Sequence, residues 1–200
     1  MKLRLALCLM MSIPLAGCFM AQKSTVIPSK QYFDKESQAR IRLFGPYGNA
    51  TIKHYVGKTC EDWRSTMGKK IHHRVNNGLP RRIKNISLDM PITKRSDSAS
   101  NDKGIMFRDS FKEYAIDAGQ PVTLDGSVSV QLDNYSSACR VAVSFTPIAG
   151  KDYEAYYIEN NKSCTIAIRE IQNDVDENNL AKTTEVKDVK GCSALGDRKF

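Results

Sequence analysis

Hydrophobic and polar residues alternate along several stretches of the chain, and this alternation predicts β-strands. The clearest stretch is VTLDGSVSVQL at residues 122–132, where five apolar residues alternate with polar ones. Shorter stretches with a similar pattern are ARIRLF (39–44), ATIKHYV (50–56), FKEYAI (111–116), CRVAVSF (139–145), YEAYYI (153–158) and SCTIAIREI (163–171). A side-chain period of two indicates strands with one face buried and the other polar.

Turn-forming residues separate these strands and indicate how they follow one another. The turn GPYGN at 45–49 predicts that the first two strands form a β-hairpin, and further turns fall at 118–121, 146–152 and 159–162. Gly126 interrupts the apolar phase of the longest strand, which predicts a bulge or bend. The spacing favours an all-β fold: a single antiparallel β-sandwich, immunoglobulin-like or transthyretin-like, with about seven to eight strands.

The first 17 residues do not follow this alternation. Lys2 and Arg4 precede an apolar stretch from Leu5 to Leu15 that only Ser12 and Pro14 interrupt. The stretch is shorter than the ~20 residues that span a bilayer, and it has the length of a signal-peptide core. We therefore interpret residues 1–17 as a cleaved signal peptide.

The end of this segment, Leu15-Ala16-Gly17-Cys18, resembles the lipobox of bacterial lipoproteins. The resemblance implies cleavage after Gly17, a diacylglyceryl group on the Cys18 thiol and an acylated amine, palmitate being a typical chain. Two or three acyl chains hold a protein firmly on a membrane. In this class an aspartate after the cysteine retains the protein in the inner membrane. Phe19 stands there, so the resemblance implies the outer membrane, on its periplasmic side.

The charge and the length of the chain indicate the net charge and the domain organisation of the mature protein. The full chain carries a formal charge of +8, and loss of Lys2 and Arg4 with the signal peptide leaves +6. We interpret residues 18–38, with mixed polar residues and Pro28, as the lipidated N-terminus and a tether. Residues 39–200 then form one β-sandwich domain that ends in a charged segment from about 172.

Four cysteines remain for the folded domain: Cys60, Cys139, Cys164 and Cys192. In an oxidising periplasm an even set favours two disulfides, although four cysteines permit three pairings. Alternation places Cys139 and Cys164 on the apolar faces of their strands, and closing that loop would contribute roughly 3 kcal/mol. This favours Cys139–Cys164 and Cys60–Cys192, with the pairing left open.

A basic segment follows the second predicted strand. It has no acidic residue between Trp63 and Leu88, and its basic residues are Arg64, Lys69, Lys70, Arg74, Arg81, Arg82 and Lys84. Such a patch suits an anionic partner such as lipopolysaccharide phosphate, lipid head groups or an acidic protein. The alternative is a solvated loop of a basic protein. Nucleic acid is excluded as a partner, because a lipid anchor outside the cytoplasm keeps the protein away from it.

Candidate catalytic and metal-binding residues are few. His72 and His73 are adjacent and would point in opposite directions on a strand, while His54 lies on an apolar face and is best read as partly buried. Asp109 and Glu113 are four residues apart on a predicted strand, and we interpret them as surface charges. With no recognisable hydrolase or phosphate-loop motif, we expect a non-enzymatic protein without metal or cofactor.

Aromatic residues near the sixth predicted strand leave two interpretations. Tyr135, Tyr153, Tyr156 and Tyr157 could form an exposed face for a glycan or partner, or could pack in the core. Tyr153 and Tyr157 share one strand face and Tyr156 takes the other. Core packing is therefore expected to take at least one set.

A second resemblance covers roughly residues 39–171. The strand ARIRLFG, the turn EYAIDAGQPV and the hairpin SFTPIAGKDYEAYY are similar to small Gram-negative envelope lipoproteins of unassigned function with a β-sandwich domain. The resemblance implies a binding or accessory envelope subunit. The alternatives are a periplasmic hydrolase or hydrolase inhibitor, and an assembly component of a secretion system.

Overall fold

Most of the residues that the structure describes lie in β-strands. A computed structural model describes residues 24–46, 51–65, 84–101, 109–132, 135–160 and 163–192. The strands are β1 (Thr25–Pro28), β2 (Gln38–Pro46), β3 (Ile52–Val56), β4 (Lys84–Ser87), β5 (Asp109–Asp117), β6 (Val122–Leu132), β7 (Tyr135–Phe145), β8 (Asp152–Asn160), β9 (Ser163–Val175), β10 (Ala181–Glu185) and β11 (Lys190–Cys192). Two short helices, α1 (Cys60–Ser65) and α2 (Lys94–Asn101), complete the described elements.

The strands form two sheets. The larger has the order β1-β4-β5-β2-β8-β9-β10 and the smaller has the order β11-β7-β6-β3. In the larger sheet the pairs β1–β4, β4–β5 and β2–β8 are parallel. The expectation of a purely antiparallel fold is therefore wrong, because β2 takes an antiparallel neighbour on one side and a parallel neighbour on the other.

The predicted first hairpin does not form. Strand β2 lies inside the larger sheet, whereas β3 pairs with β6 at the edge of the smaller sheet. The expected meander is divided in the same way, since β7 belongs to the smaller sheet and β8 to the larger. The β8–β9 pair is a hairpin, with Asn160 opposite Ser163. The turn at 118–121 also links two sheets, and Gly119 supplies a positive φ of 74° there.

Apolar residues of both sheets form one buried core. It includes Ile41 and Ala155 of the larger sheet and Leu124 and Phe145 of the smaller. The Phe145 and Tyr153 rings meet edge to face, with their centroids 5.3 Å apart. These are the inward positions that the alternation predicts, so the sequence pattern places the core correctly.

Gly126 has a different role from the one predicted. The β6–β7 register runs from Val122 opposite Phe145 to Leu132 opposite Tyr135 without a shift, so Gly126 makes no bulge there. A Cβ at this position would lie 3.0 Å from Tyr157 Cδ2 and 3.1 Å from Ile166 Cδ1 in the other sheet. Gly126 therefore permits the close approach of the two sheets.

The outer faces of both sheets are partly covered, which simple alternation did not predict. Thr123 and Asp125 point away from the core and are nevertheless buried. Asp125 pairs with Arg140, whose guanidinium lies 5.3 Å from the centroid of the Trp63 ring on α1. Helix α1 thus covers the smaller sheet, and segment 88–101, which contains α2, covers part of the larger one.

Two disulfides fix this arrangement. Cys139 of β7 bonds to Cys164 of β9 and joins the two sheets, while Cys60 of α1 bonds to Cys192 of β11. This is the pairing that the sequence favoured. Cys60 and Cys192 are buried beside Trp63 and Ala142, so the second disulfide holds α1 against the smaller sheet.

The predicted tether and strand number need correction. The folded part begins before Ala39, because β1 pairs with β4 and the buried Ser24 hydroxyl donates to Ala99 O over 2.8 Å. Within the described ranges alone there are eleven strands, more than the seven to eight predicted for the domain. The additional strands β1, β4, β10 and β11 have three to five residues each, too few to show an alternating pattern.

The two disulfides should differ in their contribution to stability. Cys60 and Cys192 are 132 residues apart and Cys139 and Cys164 are 25 apart. The chain-entropy model then predicts losses of about 5 and about 3.5 kcal/mol for the respective double Cys→Ser variants. Urea unfolding followed by circular dichroism measures both. A Cys139→Ser/Cys164→Ser variant less stable than Cys60→Ser/Cys192→Ser would contradict this order.

Candidate ligand groove

A row of alternating charges crosses the outer face of the larger sheet. Register places Arg42 of β2 opposite Glu113 of β5 on one side and Glu154 of β8 on the other. Glu154 in turn lies opposite Arg169 of β9, and Arg169 lies opposite Glu185 of β10. Opposite charges on adjacent strands attract one another, so the row favours this register.

Arg42 and Glu113 are the two most buried members of the charge row. The Arg42 side chain is 2% exposed, and its Nη2 lies 2.6 Å from Glu113 Oε1. The same nitrogen donates to Pro91 O over 3.0 Å, and Nε donates to Glu113 Oε1 over 2.8 Å. On the other side, Nη1 lies 3.9 Å from Glu154 Oε2. Arg42 thus contacts both carboxylates and also segment 88–93, which lies over the larger sheet.

Glu113 receives hydrogen bonds from the segment that crosses over it. Its Oε2 accepts from the Ser87 hydroxyl over 3.0 Å and from the backbone amides of Leu88 and Met90. The expectation that Glu113 is a surface charge is wrong, because segment 88–93 folds over β5 and supplies these donors. Burial removes water from the carboxylate, and these donors take the place of the lost water.

Glu154 connects the charge row to helix α2. Its Oε2 accepts from the Thr93 hydroxyl over 2.8 Å. Thr93 directly precedes α2, its hydroxyl accepts from the Ser96 amide over 3.2 Å, and the Thr93 amide donates to the Ser96 hydroxyl. These bonds are typical of a helix N-cap and set where α2 begins.

An open groove lies between α2 and strand β10. Its volume is about 1000 Å³, and Glu154, Tyr156 and Arg169 lie along the strands that form its floor. Thr183 of β10 holds Arg169 by accepting from Nε over 2.7 Å at its hydroxyl and from Nη2 over 2.9 Å at its carbonyl. Groove and charge row therefore share Glu154 and Arg169.

Arg95 of α2 closes the other side of the groove. Its guanidinium lies 4.1 Å from the centroid of the Tyr156 ring and 5.1 Å from that of Phe44, and its Nη2 lies 2.7 Å from Asp109 Oδ2. A cation over an aromatic face, held by a carboxylate, is restrained in orientation. Beneath it, Phe44, Phe111 and Ala99 form an apolar cluster that supports α2.

The charges that line the groove balance. The basic residues are Lys94, Arg95, Arg169 and Lys182. The acidic residues are Asp97, Asp109, Glu154 and Asp176. Such a lining suits a polar partner that carries both donors and acceptors better than it suits a polyanion.

Few residues singled out from the sequence lie in this groove. His54 lies between the sheets, its ring centroid 4.6 Å from that of Tyr114, and burial lowers its pKa. Buried Tyr153 packs in the core and Tyr157 at its margin, where burial raises the pKa of Tyr157 and its hydroxyl donates to Cys139 O. Tyr156 faces the groove.

The basic segment and the lipidation site fall mostly outside the described residues. Cys18, Lys69, Lys70, Arg74, Arg81 and Arg82 are not described, nor are His72 and His73. Arg64 belongs to α1, and Lys84 begins β4 as an exposed residue. Among the described residues, no group of three or more histidine, cysteine, aspartate or glutamate side chains could hold a metal ion.

Sequence reasoning did not find the groove. Its charged residues come from segments 94–109, 154–156 and 169–183, and no short motif joins them. The sequence feature that could have pointed to the charge row beside the groove was the pair Arg40 and Arg42, on a strand whose other face is apolar. Acidic residues recur at the same parity in β5 and β8, and only the strand order shows that these charges meet.

Comparisons with known proteins returned no match. No family model matches the chain, and no curated protein or solved structure is significantly similar to it. Neither helix in the described ranges is long and apolar enough to cross a bilayer. The fold and the groove are therefore interpreted from their own geometry.

The buried charge row predicts strong coupling between its members. Arg42→Met and Glu113→Gln should each lower the free energy of unfolding by about 3–5 kcal/mol, since each leaves a buried group without its partner. The double variant should lose less than the sum. Denaturant unfolding measures this cycle, with Lys182→Met as the control because its partner Asp174 is exposed. Additive losses, or an equal loss in the control, would contradict the coupling.

Proposed function

We propose that the chain is a lipid-anchored protein of the bacterial outer membrane, on the periplasmic side, that acts as a non-enzymatic binding or accessory subunit of the envelope. The observation that carries the location is Leu15-Ala16-Gly17-Cys18 after a basic and then apolar segment. Two disulfides support it, because such bonds form and persist in an oxidising compartment.

We further propose that the two sheets form a β-sandwich of immunoglobulin-like or transthyretin-like type. The apolar core shared by both sheets supports this, as does the disulfide between β7 and β9. The parallel pairs in the larger sheet are departures from the simplest form of either type. The sandwich would serve as a scaffold that presents the groove on its outer face.

The groove supports a binding role. Its charged side chains are held by neighbours, as Arg95 is by Asp109 and Arg169 is by Thr183. Side chains already fixed in one orientation lose little freedom when a partner binds. A hydrolase built around His54 would need a carboxylate beside it in a cleft, and the described ring contact of His54 is instead with Tyr114 between the sheets.

The basic segment is proposed as a second contact, with an anionic envelope component or an acidic protein. Lys84, one of its two members that the structure describes, is exposed at the start of β4. Lys84 lies directly opposite Thr25 in the sheet. Thr25 in turn is only seven residues after Cys18 in the chain. Basic residues near a membrane surface are attracted to its phosphate groups.

Replacement of the proposed lipidated cysteine tests the location. Cys18→Ser should remove labelling by a palmitate analogue and move the protein from the membrane fraction to the soluble fraction, apart from precursor that keeps its signal peptide. Cys8→Ser is the matched control, because Cys8 lies within the cleaved segment and should not affect either result. A mature Cys18→Ser protein that stays in the membrane fraction would contradict the anchor.

A further inference from the structure

The connection between Cys18 and the fold is short. Ser24 is 7% exposed, and its hydroxyl donates to Ala99 O over 2.8 Å and to Ser100 O over 3.1 Å, so residue 24 belongs to the fold. Six residue steps separate Cys18 from Ser24. A fully extended chain spans at most ~3.6 Å per residue, so these steps cover about 22 Å.

Strand directions place Ser24 at one end of the larger sheet. Strands β1, β4 and β5 are parallel, and their registers put Thr25 beside Lys84 and Ile86 beside Lys112. Strand β2 finishes at this end, with Pro46 opposite Asp109. Because β8 is parallel to β2, the β8–β9 hairpin turns here as well. We call this the anchor end, defined by Thr25, Lys84, Asp109, Pro46, Asn160 and Ser163.

The opposite, far end is formed by the start of β2, the end of β5 and the loop before β8. Gln38 lies opposite Asp117 there, and the Gly150 amide donates to Gln38 O over 2.8 Å. Strand β5 rises about 23 Å from Ser110 to Asp117, at ~3.3 Å per residue. The turns at 118–121 and 146–151 extend further.

We propose that the anchor end faces the membrane and contacts its surface, with the strands of the larger sheet directed away from the bilayer. This inference rests on the proposed lipidation of Cys18. If the far end faced the bilayer, Ser24 would stand more than about 23 Å above the surface, so the connection would have to stay almost fully extended to reach it, at a high cost in chain entropy. Exposed Lys84 at the anchor end then meets the phosphate groups of the lipids.

This orientation determines how the groove is presented. The groove lies on the outer face of the larger sheet, and its lining runs from Asn101 and Asp109 near the anchor end toward Asp176 near the far end. With the strands directed away from the bilayer, the groove opens sideways. A periplasmic partner reaches it without displacing lipid.

Energy transfer to a labelled membrane tests the orientation. Glu159→Cys near the anchor end and Ile148→Cys at the far end are both exposed positions, and Ile148 is 60% exposed. The other cysteines of the domain are held in disulfides and do not react with a maleimide donor. The full lipidated protein is placed in vesicles of phosphatidylethanolamine and phosphatidylglycerol that contain an acceptor lipid.

We expect the distance from the donor label to the layer of acceptor lipids to be about 25 Å shorter for the label at 159 than for the label at 148. The difference comes from the rise of the strands between the two positions. Equal transfer at the two positions, or stronger transfer at 148, would overturn the orientation while leaving the anchor intact. A protein that does not partition into vesicles, and whose Cys18 reacts with the label, would overturn the lipid anchor itself. The two failures are therefore distinguishable.

Discussion

The buried guanidinium of Arg42 is the constraint on which the outer face of the larger sheet and its covering segment 88–101 depend. A cation with a side chain 2% exposed needs anionic partners, and Glu113 and Glu154 supply them from the two neighbouring strands. Its remaining hydrogen bonds go to the carbonyls of Met90 and Pro91, which draws the covering segment onto the sheet. One side chain therefore links the strand order β5-β2-β8 to the position of segment 88–93.

The groove follows from the same interaction. Segment 88–93 leads into the N-cap at Thr93, whose hydroxyl bonds to Glu154, and α2 then projects Arg95 over Tyr156. Arg169 completes the floor and is held by Thr183. The site is thus an extension of the buried charge row toward solvent. Substitutions at Arg42 should alter the groove even though Arg42 does not line it.

The sequence predicted the core between the two sheets well and the covered outer faces of the sheets poorly. Inward positions such as Ile41, Leu124 and Ile166 follow a period of two, and burial between sheets is what that period reports. The same period marked Thr123, Asp125 and Glu113 as exposed, because it cannot show that α1 and segment 88–101 cover the outer faces. Strand pairing was also missed at β2 and β3, since turn residues do not reveal whether a connection stays within one sheet. The lipobox stays a prediction from sequence.

Amide hydrogen exchange at Leu88 and Met90 tests the central claim most directly, because both amides donate to Glu113, the buried partner of Arg42 at the β5 end of the charge row. If segment 88–93 is part of the cooperative fold, these two amides should exchange as slowly as the amides of the central strand β2. Their exchange rates should also show the same dependence on denaturant as those of β2. Exchange at the rate of an open surface loop, while β2 remains protected, would contradict the claim that the buried charges fix segment 88–93 to the larger sheet.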